Sequence, residues 1–147
     1  MNTLMLGEAP AAPGQRGAFT GDTPAAAAYT ELLRGAWARK QVTARNVLSE
    51  PTPKDPMGGN TFPMDEAVSA LLEMEARGEL AYGRIVLLGN RVAGAFARSF
   101  GHSVYPRWSE WTAGRRVAAT FHPQKYHWTP AEQKSALRAS FDALADW

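Results

Sequence analysis

A chain of 147 residues with 16 Lys and Arg against 14 Asp and Glu is nearly neutral, at a formal net charge of +2, and long enough for one domain with a real core. It contains no cysteine, which excludes disulfides, thiolate zinc sites, iron–sulfur clusters and cysteine nucleophiles and fits an intracellular, cytoplasmic setting. No apolar run approaches the roughly 20 residues of a membrane span, and Met1-Asn2-Thr3-Leu4 lacks the basic segment that opens a signal peptide. The expectation is one soluble, monomeric domain over 1–147 that meets no membrane.

The first apolar run, Thr3-Leu4-Met5-Leu6, reads as a strand ending at Gly7, after which a Pro/Gly/Ala loop leads to Gly21-Asp22-Thr23-Pro24. Thr23 is suited to cap a helix with Pro24 at its first position, and Tyr29, Leu32, Leu33 and Ala36 follow at helical spacing, with Trp37 closing the face. A second strand is expected over Val42–Leu48. The next segment holds Pro51, Pro53, Pro56, Gly58 and Gly59, which neither helix nor strand tolerates, so it reads as a surface loop.

Pro63, Asp65 and Glu66 mark a second helix running to about Gly78, its buried stripe being Met64, Ala67, Val68, Leu71 and Leu72. Ile85-Val86-Leu87-Leu88 is the most apolar run, as a central parallel strand covered on both faces requires. A third helix from about Asn90 to Phe100 turns Val92, Ala93, Phe96 and Phe100 inward and stops at Gly101. An irregular aromatic stretch with Tyr105, Trp108 and Trp111 precedes the fourth strand, Arg116–Phe121, which ends at His122-Pro123. Thr129-Pro130-Ala131-Glu132 has the form of a capping box for a last helix facing inward through Leu137, Phe141 and Leu144. Strands alternating with helices predict an α/β domain, a three-layer α/β/α sandwich around a four-stranded parallel sheet.

Charge is distributed unevenly. Residues 84–125 carry seven basic side chains against the single acid Glu110, a net +6 that leaves −4 for the remainder. Such a half either steers a polyanion or is a set of solvated arginines.

Ligands of open parallel sheets sit beyond the carboxyl ends of the strands. The polar positions there are the Gly7-Glu8-Ala9-Pro10 loop and its continuation to Asp22, Asn46 near the end of the second strand, the Gly89-Asn90 turn, and His122-Pro123. In these residues, in order from Leu4 to about Leu144, the chain resembles the uracil-DNA glycosylase superfamily. Gly7-Glu8-Ala9-Pro10 is similar to the first motif as its iron–sulfur branch writes it. Ala9-Pro10-Ala11-Ala12 through Phe19-Thr20-Gly21-Asp22 resembles the thermophile-type branch instead, and His122-Pro123 resembles the second motif. The cluster cysteines of the first branch are absent, the chain is short for the superfamily, and the aspartate usual at the third position of the first motif is Ala9.

The resemblance implies hydrolysis of the N-glycosidic bond of uracil or a related deaminated base in DNA, with no metal or organic cofactor. It implies that Phe19 stacks on the flipped-out base, Asn46 reads its Watson–Crick edge, and backbone around Gly7, Glu8, Ala9 and Pro10 holds its carbonyls. His122 would donate a hydrogen bond to the base O2 as negative charge develops there. For activating water, Asp22 is favoured and Glu8 kept second. Pro123 to Trp128 occupies the place of a loop that wedges into the duplex, with Lys125 or Tyr126 filling the gap, and Arg116 belongs to the DNA-facing charge.

Each residue has a plainer reading. Asp22 is equally suited to cap a helix, His122 to close a strand end, Asn46 to a turn, and Phe19 to the core, while Trp108, Trp111 and Trp128 suit packing. His102, His122 and His127 are too few and badly spaced for zinc. Two functions from other classes stay open: a non-catalytic DNA- or protein-binding member of the same fold, and an enzyme acting on a free nucleotide or nucleoside.

Overall fold

A computed structural model describes residues 2–10 and 18–147. Ala11 and Ala12 of the first motif, and Met1, lie outside the described residues. The first strand, β1 (Asn2–Gly7), pairs in parallel with β2 (Gln41–Asn46) on one side and β3 (Arg84–Leu88) on the other, and β3 pairs in parallel with β5 (Arg115–Thr120). A short strand β4 (Ser109–Thr112) runs antiparallel along the outer edge of β5, giving the order β2-β1-β3-β5-β4.

Alternation along the three central strands sends their side chains into two separate cores. Leu4, Leu6, Ile85, Leu87 and Val117 meet Ala67, Leu71 and Met74 of α2 (Met64–Ala76) and Val92, Ala95 and Phe96 of α3 (Asn90–Phe100). On the opposite face Met5, Val86, Leu88 and Ala118 meet Ala28, Tyr29 and Leu32 of α1 (Pro24–Leu32), Tyr126 of α4 (Pro123–Trp128) and Phe141 of α5 (Ala131–Ala143). Helices therefore cover both faces, which is why β1 and β3 are apolar along nearly their whole length. No helix among the described residues is long and apolar enough to cross a membrane.

The architecture departs from the sequence-based expectation at several points. Among the described residues the sheet has five strands, not four. β4 is an edge strand with one hydrogen-bonded neighbour and a polar face, so it carries no apolar run; Trp111 anchors it, its ring centroid 4.8 Å from those of both Phe96 and Phe100. Ala113 and Gly114, the latter at φ +79°, make the two-residue turn that joins it to β5. The segment expected to be a wedging loop is the helix α4, with Pro123 and Tyr126 buried.

Thr23 caps α1 by accepting from the Ala26 amide at 3.1 Å, but the helix ends at Leu32 and Ala36 is exposed. Trp37 is buried as expected, its indole N–H donating to the Phe141 carbonyl at 2.9 Å. In α2 the buried stripe is Ala67, Leu71 and Met74, while Leu72 turns to solvent. Gly101 ends α3 in the left-handed conformation its position demanded. The expected capping box at Thr129 does not form, because the Thr129 hydroxyl donates to the Lys125 carbonyl of the preceding helix at 2.7 Å and the N-cap of α5 is Pro130, which offers no side-chain cap.

Candidate active site at the carboxyl ends of the strands

The chain runs from β1 outward to β2 and then returns to the other side of β1 as β3, so connections diverge between β1 and β3 and leave a crevice beyond their carboxyl ends. A cavity of about 560 Å³ lies there, lined by Glu8, Ala9 and Pro10 after β1, Asn46 at the end of β2, Phe19, and His122 after β5. Thr23 to Ala25 at the start of α1, the loop residues Pro51, Thr52, Lys54 and Asn60, Arg91 of α3, and Gln124 and Lys125 of α4 complete the wall.

Two glycines let these groups converge. A Cβ on Gly7 would stand 2.9 Å from the Asn46 side-chain oxygen and 2.9 Å from the Phe19 ring, so those two side chains close over bare backbone. Gly89 has φ +103°, a conformation that side chains resist, and a Cβ there would lie 3.4 Å from His122 Cβ and 3.6 Å from a Glu8 carboxylate oxygen. Glu8 and His122 thus face each other across Gly89. The exit of β2 is tied to the same loop, since Val47 and Leu48 donate to the Gly7 and Glu8 carbonyls at 2.9 Å each.

Phe19 is the one non-glycine residue with positive φ, at 58°, among the described residues. That geometry costs a residue with a Cβ about 1–2 kcal/mol. Stacking on Tyr29, at 4.6 Å between centroids and 26° between planes, holds the ring, which also sits 5.6 Å from the His122 ring.

His122 occupies the N-cap of α4, where its Nδ1 accepts a hydrogen bond from the Gln124 amide at 3.1 Å. An acceptor nitrogen carries no proton, so the neutral ring is the Nε2–H tautomer. Burial pushes its pKa down to about 4, which keeps it neutral at physiological pH. Glu8 has a pKa above the ordinary carboxylate value because burial outweighs the opposing influence of the Arg91 guanidinium, 3.6 Å away.

The structure brings Gly7, Glu8, Ala9, Pro10, Phe19, Asn46, His122 and Lys125 to one place. It does not bring Asp22, which is exposed and outside the cavity wall, and whose alternative capping role belongs to Thr23. Pro123 and Tyr126 are packing residues, the Tyr126 hydroxyl donating to Glu31 at 3.2 Å. Arg116 is the second residue of β5, towards the opposite end of the sheet, about 13 Å of strand from the carboxyl end. The basic half disperses in the same way: Arg115 pairs with Glu75 at 2.8 Å and Arg84 lies on the Trp108 and Trp147 rings, while Arg91 and Lys125 reach the cavity. Lys54 and Asn60 escaped the sequence reading, whereas Arg91 was counted in the basic half and Gln124 lay in the segment expected to wedge into the duplex.

No family model and no curated protein sequence matches the chain. Its chemistry therefore rests on the site itself. The arrangement offers an amide, an aromatic face, a neutral imidazole with its free proton on Nε2, a half-buried carboxylate and cations at the mouth. Among the described residues no group of three or more His, Asp or Glu is disposed to hold a metal ion.

Proposed function

We propose that the chain is a DNA glycosylase of the uracil-DNA glycosylase type, hydrolysing the bond between a deaminated base and deoxyribose. The observation that carries the reading is the fixed tautomer of His122 beside Phe19 and Asn46 in one cavity. Breaking an N-glycosidic bond places negative charge on the departing base and positive charge on the sugar. A neutral imidazole whose Nε2–H points its dipole at the base O2 stabilises that charge without transferring a proton. Phe19 supplies the stacking face, and the Asn46 amide, able to donate and accept at once, matches the O4 and N3–H of uracil and mismatches cytosine.

Glu8 is the better-supported group for positioning the attacking water, because it lies across Gly89 from His122 and Asp22 does not line the cavity. Water oxygen bonds to C1′ as the C1′–N bond breaks, the water proton passes to the carboxylate, and the base leaves as an anion held by His122. The parallel strands β2-β1-β3-β5 support the four-stranded sandwich of that superfamily, with β4 an edge addition. Lys54, Arg91 and Lys125 at the mouth suit a phosphate backbone.

The test uses end-labelled oligonucleotides carrying a single uracil, hypoxanthine or hydroxymethyluracil, single- and double-stranded, followed by alkali to cut abasic sites. Cleavage that disappears in His122→Ala is expected. Intact DNA from folded protein, or turnover of free nucleosides alone, rejects the reading.

A further inference from the structure

The start of α3 breaks a local rule. Its N-cap is Gly89, so no side chain caps it, its first turn holds no acid, and its second position is a cation, Arg91. The amino end of a helix carries the positive end of the macrodipole, where a cation is unfavourable and an anion is stabilised. The anion comes from another element. A Glu8 carboxylate oxygen lies 3.6 Å from the place a Cβ on Gly89 would take, which sets that carboxylate against the opening of α3. The Arg91 guanidinium stands 3.6 Å from the other carboxylate oxygen.

Arg91 is itself held. The guanidinium nitrogen that faces Glu8 also donates to the Asn60 carbonyl at 2.7 Å. Asn60 in turn is fixed by an antiparallel bridge to Lys54, whose ammonium donates to the Asn60 side-chain oxygen at 2.5 Å. Among the described residues no other cation stands within ion-pair distance of Glu8. The remaining groups on the cavity wall around the carboxylate are His122 at the exit of β5, which burial keeps neutral down to a pKa of about 4, Lys54 of the loop after β2, and Lys125 of α4. β2 and the start of α1 contribute only the uncharged Asn46 and Thr23.

From this arrangement we infer that Arg91 is a positioning residue: pinned to the Asn60 carbonyl, its guanidinium acts with the uncapped start of α3 to hold the Glu8 carboxylate ionised against Gly89, opposite His122. The inference rests on the reading of Glu8 as the group that positions the attacking water. Burial alone drives that carboxyl towards its neutral form, in which it cannot take the water proton. The guanidinium opposes this by its charge, since 3.6 Å is longer than a hydrogen bond. A mere tie between the loop and α3 needs only a donor to Asn60, which a neutral side chain supplies; holding Glu8 ionised needs the charge.

The experiment uses the full chain with Arg91→Gln, which keeps a donor and removes the charge, Arg91→Lys, which keeps the charge, and Lys54→Gln, which removes a neighbouring cation. The Arg91 side chain is half exposed, so these changes leave both cores intact. The Glu8 carboxyl is titrated by carbon NMR in protein labelled at glutamate, its resonance assigned by its loss in Glu8→Gln. Arg91→Gln is expected to move the Glu8 midpoint to higher pH, Arg91→Lys to bring it back towards wild type, and Lys54→Gln to leave it in place. Single-turnover base release from uracil-containing DNA at saturating protein is expected to be about tenfold slower in Arg91→Gln at pH 6, the deficit shrinking as pH rises. An unmoved midpoint in folded Arg91→Gln, or an equal movement in Lys54→Gln, overturns the inference. A deficit of the same size at every pH, as the loss of a phosphate contact would give, also overturns it while leaving the glycosylase reading standing. The expected midpoints in a protein that releases no base uphold the hold on Glu8 and reject hydrolysis.

Discussion

Lowering the pH isolates the contribution of His122 to the folded state. Its pKa falls from the ordinary 6.5 to about 4 because the ring is buried. The unfolded chain therefore binds a proton there at a pH where the folded chain does not, so stability is full above 6.5, falls as pH drops towards 4, and levels off below. At about 1.4 kcal/mol per pKa unit the loss reaches about 3 kcal/mol. Glu8 works in the opposite sense, since its raised pKa favours the folded state at low pH. The measurement is therefore a difference: urea unfolding of wild type and His122→Asn between pH 4 and 7.5, the asparagine keeping an acceptor for the Gln124 amide and leaving Glu8 untouched. The stability of wild type relative to the variant should drop by about 3 kcal/mol across that range. A pH-independent difference, or an NMR titration of the His122 ring in folded protein centred near 6.5, would refute both the burial argument and the neutral-imidazole role.

Two further perturbations bear on the site. Glu8→Gln should lower single-turnover base release by about 10²–10⁴-fold while Asp22→Ala leaves it unchanged, as rapid-quench assays would show; the reverse ranking would return water activation to Asp22. Gly7→Ala drives a methyl to 2.9 Å from both Asn46 and Phe19, so it should cost about 1–3 kcal/mol in thermal or urea unfolding and abolish base release, and an unaltered variant would show that the two side chains do not close over Gly7.

The features legible along the chain were those that depend on near neighbours in it. The apolar runs of β1 and β3 announce strands buried on both faces, and Thr23-Pro24 and Gly101 mark helix ends through local backbone chemistry. The residues after the strands were legible as a site because a parallel sheet gathers its strand ends, and Glu8, Asn46 and His122 do meet. Tertiary structure decided the rest. Thr129 was spent on closing α4, which no local pattern reveals, and β4 exists because β5 offers it an open edge and Phe96 and Phe100 receive Trp111. That Glu8, and not Asp22, lies across Gly89 from His122 was not legible in the sequence, and the tautomer of His122 rests on a single amide at the start of α4. The first depends on segments about a hundred residues apart in the chain, which spacing along a sequence does not encode, whereas the second is a contact two residues along the chain that becomes visible only once α4 is known to start at Pro123.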